Sequence, residues 1–194
     1  MVLTIDIGNT TIGIGGFQGN KLLFIEKISS RRPLSDAGYI EKLNMILNKH
    51  GLSAEAFEGS MISSVVPSVT AVFSSALETF LGRKPLILSH KLDLGYEICT
   101  EFPEKVGCDR LADIAGAISR YSLPFVTIDL GTATTFNVLD ENRRFLGGLI
   151  LPGVGTAHRA LLGRTAQLPK GDIHMPAHTI GANTQECITG GMLL

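Results

Sequence analysis

Two stretches of this chain combine an aspartate, a glycine and hydroxyl side chains in the same order. The first, Thr4–Thr11, reads TIDIGNTT, and the second, Thr127–Thr135, reads TIDLGTATT. Glycine allows positive φ, so each strand is expected to turn back sharply and aim hydroxyl and backbone N–H groups at one place. A phosphate suits such a turn, and the carboxylates of Asp6 and Asp129 suit a metal ion or an ordered water. The repeat predicts two similarly built lobes that serve one polyphosphate.

A single stretch of this kind is also typical of an ordinary hairpin turn that binds nothing. Neither of the common nucleotide-binding sequences, GxxxxGK[ST] and GxGxxG, occurs in the chain. A phosphate site is therefore expected to be of another kind, built from the two repeated turns.

A third carboxylate, Asp109, stands where a helix is predicted to begin, beside Arg110. As a simple N-cap, this aspartate needs no catalytic role, because a carboxylate is stabilised at a helix N-terminus. Arg110 likewise suits a surface salt bridge with Asp113 or Glu104. The same two residue types also suit a general base next to a cation that binds an anion.

Hydrophobic periodicity and turn residues predict an α/β fold, with a first lobe over residues 1–118 and a second over 119–194. The elements expected in the first lobe are three strands within 2–28, a helix over 36–49, a strand at 61–66, a helix over 67–81, a strand at 85–88, an irregular stretch over 89–106 and a helix opening near Asp109. Those expected in the second are strands at 125–130, 134–140 and 144–150, a helix ending near Leu162 and another after Ile180. Because a closing strand and helix would still be needed, we expect the second lobe to be incomplete at its C-terminus.

Composition narrows the class of protein. The chain has 194 residues, of which 44% are hydrophobic, and its 18 acidic and 17 basic residues leave a net charge of −1. No stretch concentrates Lys or Arg, so neither nucleic acid nor a membrane is an expected partner. The 3 cysteines have no metal-binding or disulfide spacing, which favours a reducing compartment, and we expect a cytoplasmic protein.

Seven phrases of the chain, in the same order, resemble those of type III pantothenate kinases. They are D-x-G-N-T at Asp6–Thr10, S-S-V-V-P at Ser63–Pro67, V-G-x-D-R at Val106–Arg110, D-x-G-T-A-T-T at Asp129–Thr135, G-G-x-I-x-P-G at Gly147–Gly153, T-A-x-L-P at Thr165–Pro169 and I-G-x-N-T at Ile180–Thr184. The resemblance implies two related actin-like (ribonuclease H-like) lobes, each with a mixed β-sheet flanked by helices. It implies ATP-dependent phosphorylation of pantothenate, the first step of coenzyme A biosynthesis, by a homodimer.

The same resemblance assigns roles to residues of this chain. Asp109 would accept the proton of the attacking hydroxyl, and Asp129 would hold an activating monovalent cation, K⁺ or NH₄⁺. Asp6 would act through water on the Mg²⁺ that the ATP phosphates carry. The residues assigned to ATP are Asp6, Gly8, Asn9, Thr10, Thr11 and Thr132, and those assigned to pantothenate are Gly107, Asp109, Arg110 and Thr184. Thr184 is also expected to cap the helix that follows it.

The chain departs from the family at a Tyr-x-Asn-Pro phrase whose tyrosine lines the substrate site. Here Thr100–Pro103 reads TEFP, and Tyr96 is a candidate replacement. Two alternatives therefore stay open: a kinase of another small hydroxylated acid, and a catalytically degenerate, nucleotide-binding regulatory protein of the same fold.

Overall fold

The computed structural model describes residues 1–165, 168–169 and 171–193. Its strands are β1 (Val2–Ile7), β2 (Thr11–Gln18), β3 (Lys21–Ser29), β4 (Gly59–Ser64), β5 (Leu86–Ile87), β6 (Glu97–Ile98), β7 (Phe125–Leu130), β8 (Ala133–Leu139) and β9 (Arg144–Pro152). Its α-helices are α1 (Asp36–Lys49), α2 (Pro67–Leu81), α3 (Cys108–Ile118), α4 (Val154–Gly163) and α5 (Thr184–Leu193). The order confirms the predicted α/β class. Of the T-A-x-L-P phrase, Ala166 and Gln167 lie outside the described residues.

The first sheet has the strand order β3-β2-β1-β4-β5 and is mixed. Strand β1 pairs antiparallel with β2 and parallel with β4. Side chains alternate between the two faces of a strand, so Leu3, Ile5 and Ile7 share one face and are almost fully buried. Asp6 lies on the other face and is exposed.

Helices α1 and α2 supply the rest of the first core. Leu43 and Leu47 of α1 and Phe73 and Leu77 of α2 are buried in one cluster with the strand residues. Burying each such side chain contributes roughly 1.5–3 kcal/mol. Both helix starts follow the sequence: Ser35 Oγ accepts a hydrogen bond from Gly38 N at 3.3 Å, and Pro67 occupies the first turn of α2. This core holds β1 and β4 rigidly in the sheet.

The second sheet has the strand order β6-β9-β8-β7. Tight turns join β7 to β8 and β8 to β9, and only antiparallel neighbours allow connections this short. Ile114 of α3, Leu139 of β8 and Phe145 of β9 are fully buried in one cluster. Strand β6 was not predicted, because its two residues form a strand only through parallel pairing of Glu97 with Arg144 and Ile98 with Phe145.

The chain divides into two compact units. Unit 1 comprises Met1–Phe125 and Val138–Gly147, and unit 2 comprises Val126–Asn137 and Gly148–Leu194. The lobe boundary after residue 118 stays a prediction. Within the described ranges, no helix is both long and apolar enough to cross a membrane.

Candidate active site

The first repeated stretch forms the turn between β1 and β2 in unit 1. Gly8 N donates a hydrogen bond to Thr11 O at 2.9 Å, and Ser30 N donates to Thr10 O at 3.1 Å. Asn9 is exposed at the tip of this turn. Asp6, near the end of β1, is also exposed. The structure therefore brings together, in one short turn, the residues assigned to the ATP phosphates in this unit.

The second repeated stretch forms the turn between β7 and β8 in unit 2. Gly131 N donates to Ala133 O at 2.9 Å, and Thr132 O accepts hydrogen bonds from Gly153 N at 3.0 Å and Thr156 Oγ1 at 2.8 Å. Thr132 is thereby fixed against the first turn of α4. A side chain at Gly153 would overlap the carbonyl oxygen of Gly131, so the close approach requires glycine there. Gly153 ends one of the phrases that resemble the family, but it was not among the predicted site residues.

The glycines of the two repeated turns do not have the backbone conformation that was predicted for them. Gly8 and Gly131 both lack the positive φ that was expected, whereas Gly19, Gly82 and Gly147 have it. A Cβ on Gly131 would lie 3.6 Å from Asp129 Oδ2. That separation is an ordinary van der Waals contact, so neither the backbone conformation nor the space beside the carboxylate requires glycine at position 131.

Asp109 is not the N-cap of α3, which corrects the simpler interpretation of this residue. Gly107 is the N-cap and Asp109 is the second helical residue. The Asp109 Oδ1 atom accepts a hydrogen bond from Arg110 N at 2.8 Å. A side chain at Gly107 would collide with Asp109 Oδ1, so glycine makes room for the carboxylate. The same Cβ would lie only 3.7 Å from Val65, where the chain leaves β4.

Arg110 is half-buried, and its guanidinium lies over the Phe145 ring, 5.3 Å from the ring centroid. Burial lowers the pKa of Arg110, while the negative charges of Asp109 and Asp113 oppose that shift. An arginine stays charged under these conditions. The planar cation is thus held on an aromatic face next to Asp109, an arrangement that suits a carboxylate ligand.

Tyr96 is held against α3. Its hydroxyl donates to Leu111 O at 2.9 Å, and its ring packs on the core of Ile114, Leu139 and Phe145. Burial, and then the charge of Asp113, raise the pKa of Tyr96. These contacts support a structural role for Tyr96 more than a role as the missing substrate-site tyrosine.

The S-S-V-V-P phrase joins β4 to α2. Ser64 Oγ accepts hydrogen bonds from Val66 N at 3.0 Å and from Thr70 Oγ1 at 2.6 Å, which orders the start of α2. Ser64, Val65 and Thr70 line part of a cavity of about 490 Å³ in unit 1. Ser63, just before them, is 8% exposed and belongs to β4.

Thr184 does not cap α5, contrary to the prediction. Asn183 Oδ1 accepts from Glu186 N at 2.9 Å, and Glu186 Oε2 accepts from Ala182 N at 2.8 Å. This reciprocal pair resembles a capping box, a signal that the sequence N-T-Q-E contains. Thr184 is the first residue of the helix.

Asp6 and Asp129 are single carboxylates rather than members of a metal cluster. Within the described part of the chain, no three His, Cys, Asp or Glu side chains are grouped to hold a metal ion. One carboxylate in open surroundings fits Mg²⁺, which keeps several waters and takes its other ligands from substrate phosphates.

Comparison with known proteins identifies the family. A family model described as type III pantothenate kinase matches residues 2–194. The type III pantothenate kinase of Thermomicrobium roseum is 36% identical over 194 residues, covering 100% of this chain and 75% of that protein. That of Bifidobacterium animalis subsp. lactis is 38% identical over 192 residues, covering 99% and 76%.

A solved structure from Campylobacter jejuni, described as a "conserved putative Baf family transcriptional activator", has the same fold. Its TM-score is 0.56 at 17% identity, and the match covers 97% of this chain and 72% of that one. Fold similarity and sequence similarity extend over nearly the whole sequence. The chain belongs to the type III pantothenate kinase family.

Proposed function

We propose that this chain transfers the γ-phosphoryl group of ATP to the hydroxyl of pantothenate, the first step of coenzyme A biosynthesis. The observation that carries the mechanism is the start of α3, where Gly107 leaves space for the Asp109 carboxylate next to Arg110. Phosphoryl transfer depends chiefly on positioning and on neutralising phosphate charge, so few side chains need to react.

Asp109 acts as the general base in this proposal. Its position in the first turn of α3 and its Oδ1 bond to Arg110 N support a fixed carboxylate orientation. A general base must lie within hydrogen-bond reach of the proton that it accepts, and a carboxylate held in one orientation at the start of a helix suits that requirement.

Arg110 binds the carboxylate of pantothenate through its two-pronged guanidinium. The contact with Phe145 supports this role, because the ring face helps to hold the planar cation in one orientation. Gly107 and Thr184 contribute further contacts to the substrate.

The nucleotide is assigned to the two repeated turns. Gly8, Asn9, Thr10 and Thr11 bind the ATP phosphates, and Thr132 also contacts them. Asp6 would hold Mg²⁺ through water, and this ion would supply positive charge to neutralise the phosphates. Asp129 holds a monovalent cation, K⁺ or NH₄⁺. We further propose that the protein is a cytoplasmic homodimer.

Replacing Asp109 by Asn tests the central role. The expected kcat is roughly 10²–10⁴-fold lower, because the proton acceptor is lost, with little change in nucleotide affinity. Turnover is measured as pantothenate-dependent release of ADP in potassium buffer, and affinity by calorimetry with a non-hydrolysable ATP analogue. Glu104→Gln, which removes an exposed carboxylate shortly before Gly107, is the control and should keep normal turnover.

Unchanged turnover in Asp109→Asn would contradict the assignment. Binding of the analogue without turnover of any acceptor would favour the regulatory alternative. Turnover with another hydroxylated acid but not with pantothenate would favour a kinase of that other acid. Acetate and simple sugars are assayed in parallel as alternative acceptors.

A further inference from the structure

The residue that stands beside Asp6 on the neighbouring strand is Ser63. Strands β1 and β4 are parallel, and Asp6 and Ser63 are partners in their register. The preceding pair, Ile5 and Ile62, lies in the first core at 2% and 0% exposure. Because side chains alternate, Asp6 and Ser63 both project from the opposite face of the sheet.

Ser63 is buried but its hydroxyl is not satisfied. The side chain is 8% exposed, and Ser63 Oγ has no hydrogen-bond partner among the residues that the structure describes. Helix α3 packs against β4. A buried hydroxyl without a partner is unfavourable, and a contact formed only in a functional complex is one explanation for it.

The strand neighbours of Asp6 make its carboxylate the candidate acceptor for the Ser63 hydroxyl. Its partner on the other neighbouring strand is Gly13, which has no side chain. Of the two residues paired with Asp6 across the sheet, only Ser63 therefore carries a side-chain donor. A serine hydroxyl on the adjacent strand is close enough to reach a carboxylate on the same face.

We propose that Ser63 is a positioning residue for Asp6, donating its Oγ–H hydrogen bond to the Asp6 carboxylate in the nucleotide complex. This inference rests on the proposed function, in which Asp6 contacts the waters of nucleotide-bound Mg²⁺. A carboxylate that works through metal-bound water depends on an outer partner to hold its orientation. In this proposal the S-S-V-V-P phrase has two roles: Ser63 orients Asp6, and the residues after it start α2.

The test measures how Mg²⁺ changes nucleotide affinity, by calorimetry with a non-hydrolysable ATP analogue in Mg²⁺ and in chelator. Ser63→Ala should weaken binding about tenfold in Mg²⁺, the size expected for a hydrogen bond to a charged group, and leave binding in chelator unchanged. Ser63→Thr, which restores a hydroxyl, should recover most of the loss. In an Asp6→Asn background, Ser63→Ala should have little further effect.

Ser60→Ala is the matched control. Ser60 lies on the same strand, is 7% exposed and also has a buried Oγ with no partner in the described part of the chain. It pairs with Leu3, on the core face. Ser60→Ala should leave the Mg²⁺ effect unchanged, and thermal unfolding of both variants reports any loss of folding.

The outcomes separate this inference from the function on which it rests. If Mg²⁺ does not strengthen binding to the unaltered protein, or if Asp6→Asn changes nothing, the proposed role of Asp6 is wrong and the inference falls with it. If Asp6→Asn behaves as proposed but Ser63→Ala matches the unaltered protein, only the inference is overturned. Equal weakening in Mg²⁺ and in chelator, or a loss that persists in the Asp6→Asn background, also overturns it.

Discussion

At the scale of single residues, glycines define the candidate site by the space that they leave. Gly107 makes room for the Asp109 carboxylate. Gly153 allows the β7–β8 turn to touch the start of α4. At both positions a Cβ would displace a neighbouring group of the candidate site.

Arg110 allows a residue-scale prediction about substrate binding. In Arg110→Lys the charge remains, but the two-pronged geometry and the stacking on Phe145 are lost. We expect the KM for pantothenate to rise roughly tenfold to a hundredfold, since hydrogen bonds between charged groups are worth about 1.5–3 kcal/mol. Nucleotide affinity should change little. Steady-state kinetics with pantothenate varied at saturating ATP measure the effect.

Arg120→Lys is the control for that variant, because Arg120 is exposed just beyond the end of α3. Its KM for pantothenate should stay normal. An Arg110→Lys protein with unaltered KM would remove Arg110 from the substrate site.

At the scale of elements, the β8–β9 turn is closed by one carboxylate. Asp140 Oδ1 accepts hydrogen bonds from Asn142 N at 3.0 Å and Arg144 N at 2.8 Å, while Oδ2 contacts the Arg144 guanidinium at 2.7 Å. Burial would raise the pKa of Asp140, but the hydrogen bonds from Arg144 and Asn142 outweigh it, so this pKa lies below its ordinary value. The ionised form is therefore favoured by folding.

This turn predicts an acid-dependent loss of stability. A lowered carboxyl pKa contributes to the free energy of unfolding above the ordinary value of 3.8, and the contribution is lost as pH falls through the lower folded value. Asp140→Asn should therefore be less stable than the unaltered protein at neutral pH, with the difference shrinking below about pH 4. Urea unfolding between pH 3 and pH 7 measures both proteins.

Glu141→Gln, a change at an exposed carboxylate in the same turn, is the matched control and should alter the unfolding free energy little. A stability difference for Asp140→Asn that stays constant down to pH 3 would show that its charge is not the cause.

At the scale of the whole molecule, unit 2 carries exposed apolar side chains on β7. Val126, Ile128 and Leu130 are 52%, 56% and 77% exposed, and their alternate positions put them on one face of the strand. Contiguous apolar surface of this kind favours association.

We therefore expect the homodimer proposed above to form in solution. Size-exclusion chromatography with light scattering should give twice the mass of one chain, because association would cover apolar surface. A dilution series locates the dissociation range. A mass of one chain at every concentration would contradict the prediction.

The sequence by itself determined the elements and much of their chemistry. Strand alternation, helix periodicity and turn residues act over a few neighbouring positions, and they predicted β1 to β3, helix α1, and α2 beginning at Pro67. The repeated D-x-G turns and the start of α3 were likewise predicted from neighbouring residues alone. Their order along the chain was enough to reveal the family.

The tertiary structure alone decided which distant residues meet. The pairing of Asp6 with Ser63 depends on the register of two parallel strands, and the contact between Arg110 and Phe145 depends on packing of α3 against β9. Strand β6 exists only because β9 lies beside it. Such contacts are set by long-range burial and backbone hydrogen bonding, to which local sequence patterns are insensitive.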